Sequence, residues 1–228
     1  YAVIHKDMAI TIPDNLSYAE AASIPEAFLT AYQALFLLAK TLPNEKVLVH
    51  ASGSGVGTAA IQLLSHLGAN CIITASKSKH AKCFELGAQT CIDYQNEDFH
   101  EIIKTTTGKV NVIVDFIGAP YFQRNIDCLD KDGRMVMLAL MGGVNITELN
   151  IAKIVLNRIS LFGSTLRNRD LNYQVELKSS FWKDSKALFE KSIYKPIIDK
   201  VYNWEDVAEA HTRMEKNKNF GKIVLEIS

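Results

Sequence analysis

Between Glu45 and about residue 166, short apolar runs take turns with helical stretches, and that alternation leaves few folds open. Strand-like runs are readable at 46–51, 70–75, 90–93, 110–116, 134–139 and 159–164, with helical stretches at about 57–67, 78–86, 96–106, 120–129 and 149–157. Strands separated by helices of this length build βαβ units, hence a parallel sheet with helices on both faces. The expected class is α/β, a doubly wound parallel sheet of Rossmann type. At 228 residues, 48% of them apolar, the chain can bury a core of that size.

The flanks break the rhythm. "YAVIHKDMAITIP" alternates like a strand from its first residue and reads as the inside of a domain. Ser17 with Glu20 predicts a capping box, and Pro25 the start of a second, longer apolar helix. Past about 167 come a mixed segment at 170–192, a strand at 197–203, a helix from Trp204 capped by Asn203, and a last strand after a turn at Gly221.

Charge excludes some partners. With 25 basic and 25 acidic residues the formal net charge is zero, so no long-range field draws the chain to nucleic acid or anionic lipid. Cys71, Cys83, Cys91 and Cys128 form no CxxC pair and read as buried thiols of a reducing compartment. No apolar run reaches the roughly 18 residues of a membrane span and no signal peptide opens the sequence. A cytoplasmic protein with no membrane partner is expected.

Chemistry concentrates in "VLVHASGSGVGTAAIQL". In a doubly wound sheet the first turn carries ligand phosphates on a helix N-terminus. Aligned with G-x-G-x-x-G, the three slots hold Ser52, Ser54 and Gly57, so the strict fingerprint fails. The failure is mild: a serine tolerates the turn at negative φ and its hydroxyl can donate to a pyrophosphate, while Gly57 permits close helix–strand approach. The spacing Gly53-x-Gly55-x-Gly57 also suits a methyltransferase. The end of the second strand argues otherwise. It reads Thr74-Ala75-Ser76-Lys77-Ser78-Lys79, with no acid to grip ribose hydroxyls, and suits a ribose 2′-phosphate, favouring NADP over NAD. No Tyr has a Lys four residues on, the six His form no metal-like cluster, and no G-x-S-x-G is present. Any chemistry is then the cofactor's.

Six blocks in order, "IPEAFLTAYQAL", "VLVHASGSGVGTAAIQL", "LGAQTCIDY", "VNVIVDFIGAPYF", "LDKDGRMVMLALMGG" and "NKNFGKIVLEI", make the chain resemble the zinc-independent quinone oxidoreductases of the medium-chain dehydrogenase/reductase superfamily. The resemblance implies NADPH-dependent reduction of quinones or related activated carbonyl acceptors. An enoyl or alkenal reductase of the same superfamily, or a non-catalytic NADP-binding and dimerising fragment, are the alternatives. It implies that Ser54, Gly55, Val56 and Gly57 hold the pyrophosphate, and that Lys79 and Tyr94, with Ser76, grip the 2′-phosphate. Thr30 and the Leu140-Met141-Gly142 turn would lie by the nicotinamide and its ribose; Ser164 to Leu166, with Asn219, Gly221 and Lys222, would close over the cofactor. Glu26 stands where zinc-dependent relatives place a catalytic Cys, so no metal is expected. Relatives continue upstream of "YAVI" into most of a GroES-like catalytic domain, which is where catalytic side chains are expected. The implied division is 1–16 as the end of that domain, 17–166 as the NADP-binding domain and 167–228 as a segment returning to the catalytic domain, remnants of which thus lie at both ends. A homodimer through the strand at 158–166 is expected.

Overall fold

The computed structural model describes residues 3–227. Six strands form one parallel sheet: β1 (Lys46–Val49), β2 (Asn70–Ala75), β3 (Thr90–Asp93), β4 (Val110–Asp115), β5 (Leu129–Met137) and β6 (Ser160–Gly163). Their spatial order is β3-β2-β1-β4-β5-β6, so the winding reverses between β1 and β4. The central strands are buried on both faces, which is why they read as unbroken apolar runs.

Two cores follow from the two faces. On one, Val47, Val49 and Ile73 pack with α1 (Tyr18–Tyr32), α2 (Gly55–Leu67) and α7 (Leu171–Glu190). On the other, Leu48, Ile72 and Ile113 pack with α4 (Phe99–Thr106) and α5 (Ala119–Cys128). The short helices α3 (His80–Glu85) and α6 (Ile151–Leu156) complete the crossovers. Beyond α7, β7 (Ile198–Asn203), α8 (Val207–Glu215) and β8 (Lys222–Glu226) add a parallel two-stranded sheet.

Several expectations need correction. The capping box at Ser17 forms, but Pro25 does not begin a second helix: α1 runs through it to Tyr32 and continues as a π turn, Gln33–Leu38. Burial of Ile24, Ala27, Phe28 and Ala31 outweighs the roughly 3 kcal/mol that an interior proline costs. The joined helix Tyr18–Leu38 is long and apolar enough to cross a membrane by length and composition, contrary to the sequence expectation. More than half of its most apolar stretch is buried inside the protein. The expected strand near the start is replaced, among the described residues, by a 3-10 turn at Lys6–Met8. Among the described residues no strand pairs with this segment, and alternation without a partner makes no ladder. Tyr1 and Ala2 lie outside the described residues.

The mixed segment at 170–192 resolves into α7, a 20-residue helix begun by Asp170, whose carboxylate accepts from the Tyr173 N–H at 2.9 Å. Its Phe181 and Phe189 are fully buried and meet Phe28 of α1 at ring-centroid distances of 6.2 and 5.0 Å. The Tyr32 hydroxyl donates to Asp184 at 2.6 Å, tying the same two helices. Phe181→Ala is expected to destabilise the chain by about 3–5 kcal/mol, read as a lowered urea midpoint.

Candidate functional site

At the carboxyl end of β1 the chain must turn sharply into α2. Ala51 takes the left-handed conformation, with φ of 50°, and the amide of Ser52 bonds the Thr74 carbonyl at 3.1 Å. The two serines in the glycine slots then diverge. Ser52 is fully buried and its hydroxyl donates to the Val49 carbonyl at 2.9 Å, so it is turned away from any ligand. Ser54 caps α2 at φ of −76°, accepting from the Gly57 N–H at 3.0 Å, which leaves its own proton free to donate outward. Gly57 faces inward: a Cβ there would lie 2.7 and 2.8 Å from the carbonyl carbon and oxygen of Ser52.

The turn opens into a cleft of about 780 Å³ across the strand ends at the reversal of winding. Of the residues expected at a cofactor, Ser54, Gly55, Val56, Ser76, Lys79, Tyr94, Met141, Gly142, Asn219, Gly221 and Lys222 line it. The sequence places them on elements far apart, and backbone bonds gather them. The Gly221 N–H donates to the Gly53 carbonyl at 2.9 Å, while Met141 and Gly142 donate to Phe116 and Ile117 at 3.0 and 2.8 Å. Buried Asp115 braces that wall by accepting from the amides of Ile117 and Gly118.

Thr30, Ser164 and Leu166 lie in an adjoining cavity of about 470 Å³, and Glu26 lines both. Leu140 faces a third depression that Ser164 also lines. Gly57 lies on none of these surfaces, because the closeness to Ser52 that requires a glycine also hides it. What the geometry shows for Gly57 is this packing against Ser52.

Two cations enter the cleft. The Lys222 stem lies over Gly55, where a Cβ would stand 2.8 Å from its Cγ, and its ammonium pairs with Glu26 at 2.7 Å. Lys79 runs along Gly53, and its ammonium donates to Asn217 Oδ1 at 2.8 Å. Burial lowers the Lys79 pKa, against the opposing pull of Asp199. Asn217 Nδ2 in turn donates to the Tyr94 hydroxyl at 3.0 Å. Sequence reasoning missed Asn217, whose partners stand 138 and 123 residues away, and the fully buried Gln33, which accepts from the Ser164 hydroxyl at 2.9 Å and donates to Tyr173 at 2.7 Å. Their local sequence carries no signal for either.

Directly beneath the turn, the His50 ring is fully buried between Thr74 Oγ1 and Asn125 Oδ1, at 3.0 and 2.8 Å. Desolvation holds its pKa below the ordinary 6.5 despite the attraction of Asp115.

Fold and cleft together define a doubly wound α/β protein of the nucleotide-binding class. A family model described as zinc-binding dehydrogenase matches residues 55–180, and the chain belongs to that family, in the quinone oxidoreductase-like part of the medium-chain dehydrogenase/reductase superfamily. The human synaptic vesicle membrane protein VAT-1 homolog is 31% identical over 94% of the chain and 58% of its own length. Quinone oxidoreductase-like protein 2 of Bos taurus is 30% identical over 95% of the chain and 62% of its own length. The crystal structure of the JamJ enoyl reductase superposes with a TM-score of 0.82 at 31% identity, covering 96% of this chain and 66% of that one. The chain thus spans about three-fifths of the length of each of these two curated relatives.

Despite the family's description, no three His, Cys, Asp or Glu side chains gather among the described residues, and Glu26 is engaged by Lys222. These residues do not offer zinc a site.

Three substitutions test this geometry. Ser54→Ala should cost about 0.5–2 kcal/mol as a lost helix cap, and Gly57→Ala about 1–3 kcal/mol or more by driving α2 off the turn, both read by thermal unfolding. Neutral His50 makes the unfolded chain take up its proton first as pH falls, so stability present above pH 6.5 is lost below it. Urea unfolding at pH 7 and 5.5 should show that loss, and His50→Gln should shrink it.

Proposed function

We propose that the chain is the cofactor-binding part of an NADPH-dependent reductase acting on quinones or related activated carbonyl acceptors. The observation that carries the reading is the convergence of Lys79, Asn217 and Tyr94 at the cleft wall beyond β2, a strand that ends at Ala75 and is followed by Ser76, with no carboxylate at its end. An ammonium and a phenol suit a ribose 2′-phosphate; a bare ribose diol calls for an acid.

The cleft fits such a dinucleotide. The open amides of Gly55 and Val56, at the positive end of the 13-residue helix α2, and the Ser54 proton suit the pyrophosphate, with Lys222 beside them. Gly53 and Gly55 keep the floor low enough for approach, since a Cβ at either would strike a lysine stem. Met141 and Gly142 would meet the nicotinamide ribose, with Thr30, Ser164 and Leu166 in the adjoining cavity beside the acceptor. Asn219 and Gly221 form the facing wall. A bound nicotinamide cofactor would supply a hydride, and the residues lining the cleft would hold and orient it.

A homodimer through 158–166 belongs to the same proposal. β6 is the sheet's edge, and Val144, Ile151, Val155 and Leu156 beside it in sequence are exposed. Units at 1–16, 17–166 and 167–228 and a cytoplasmic setting are also retained, the latter supported by four unpaired cysteines. Similarity to an enoyl reductase supports the second reading, reduction of a conjugated enone, and the acceptor spectrum separates the two.

Thermal unfolding with matched NADPH and NADH tests the cofactor. A ligand at about 100 times its dissociation constant adds about 2.7 kcal/mol of stability. NADPH should raise the transition more than NADH, and Lys79→Ala should weaken NADPH the more; equal losses would refute the 2′-phosphate role.

A further inference from the structure

Asn217 comes from the segment after α8, yet its carboxamide stands between two residues of the opposite wall. Its oxygen takes the Lys79 proton at 2.8 Å, and its nitrogen donates to the Tyr94 oxygen at 3.0 Å. We propose that Asn217 is the cofactor-selecting residue: its carboxamide holds the place of the ribose 2′-phosphate between Lys79 and Tyr94 and gives it up only to a ligand that carries that phosphate. The proposal rests on the NADP reading above and goes beyond it, since the selectivity is assigned to a residue on the far wall.

Lys79 is only 8% exposed, and among the described residues no carboxylate pairs with its ammonium. One neutral oxygen is its side-chain partner, and burial already lowers its hold on the proton. A cation so placed gains more from an anion than from an amide. Tyr94 accepts from Asn217, so its own proton is uncommitted. Both groups therefore have a hydrogen to offer the same point, and a phosphate takes both.

The chemistry of the amide sets the direction of choice. A carboxamide bridges an ammonium and a phenol with its oxygen and nitrogen; a phosphate bridges them with two oxygens at similar separation. When the phosphate arrives, Asn217 Nδ2 remains a donor and can turn to it as a third ligand. A dinucleotide without the 2′-phosphate leaves the Lys79–Asn217–Tyr94 bridge intact and draws nothing from it. A carboxylate at this position would satisfy Lys79 permanently and repel the phosphate, turning the preference toward NAD.

The backbone makes that substitution clean. Asn217 is exposed and sits at φ of 50°, in the left-handed region that Asn, Asp and Gly accept, whereas Ala would strain the turn. Asn217→Asp changes the charge with the shape retained, and Asn217→Gly removes the side chain with the backbone retained.

The test is calorimetric titration of the chain and both variants with 2′,5′-ADP and with 5′-AMP, which differ only in the 2′-phosphate. The wild-type chain should favour 2′,5′-ADP by at least fivefold. Asn217→Asp should cut that ratio fivefold or more, with 5′-AMP affinity within twofold of wild type, and Asn217→Gly should cut it by less than Asn217→Asp does. A smaller cut by Asn217→Asp, or equal cuts by the two variants, would overturn the proposal while leaving the NADP reading in place. A wild-type ratio under fivefold would overturn the NADP reading and this proposal together.

Discussion

Gly57 pressed against the backbone of Ser52 is the contact on which the cleft depends. With no Cβ at this position the first turn of α2 can lie on the end of β1, and a methyl group there would overlap the Ser52 carbonyl. That closeness aims the N-terminus of α2, with its unpaired amides and partial positive charge, into the cleft where winding reverses. The serines on either side complete the arrangement by opposite means. Ser52 spends its hydroxyl on the turn itself, and Ser54 spends its lone pair on the helix while keeping its proton.

From that turn outward, the electrostatics of the site is one of cations held by neutral or movable partners. Lys79 leans on an amide and Lys222 on the exposed carboxylate of Glu26, at opposite ends of the wall formed by residues 217–222. Neither contact is a buried ion pair of the kind that is costly to break. A site meant for an anionic ligand has to present positive charge without letting it collapse onto a permanent internal partner, and these two arrangements meet that condition differently. On the proposed reading Glu26 would be left to solvent when Lys222 turned to a phosphate, whereas Asn217 carries no opposing charge.

The sheet was legible because parallel strands buried on both faces must be apolar throughout: Val47–Val49, Ile72–Ile73 and Val112–Val114 announce themselves. So was the sharp turn into α2, which accommodates serine in both glycine slots, Ser52 by a bond to Val49 and Ser54 as the helix cap. Pro25 was misread because local propensity is overruled by the burial of Phe28 against Phe181, a contact 153 residues long in sequence that no window contains. The strand expected near the start failed for the converse reason, its alternation lacking a neighbour among the described residues. Sequence order also concealed how the residues expected at a cofactor divide: Thr30, Ser164 and Leu166 share one cavity, Lys79 and Tyr94 another, and Gly57 neither. Asn217 and Gln33 could not be found from their own neighbours, because each matters only through what the fold brings to it.

The closing wall links site and fold most directly. Gly221 bonds Gly53 across the turn, and at φ of 88° it lies so near the Ile197 carbonyl that only a glycine fits. The strand that follows it pairs with β7, and the residues that precede it reach Lys79 and Tyr94. A segment pinned at its centre by one backbone bond and free to exchange side-chain partners on both sides can keep its register while the ligand changes. On the proposed reading the wall would need no hinge to admit a dinucleotide: Asn217 and Lys222 would change partners, while Gly221 stays on the turn that Gly57 holds in place.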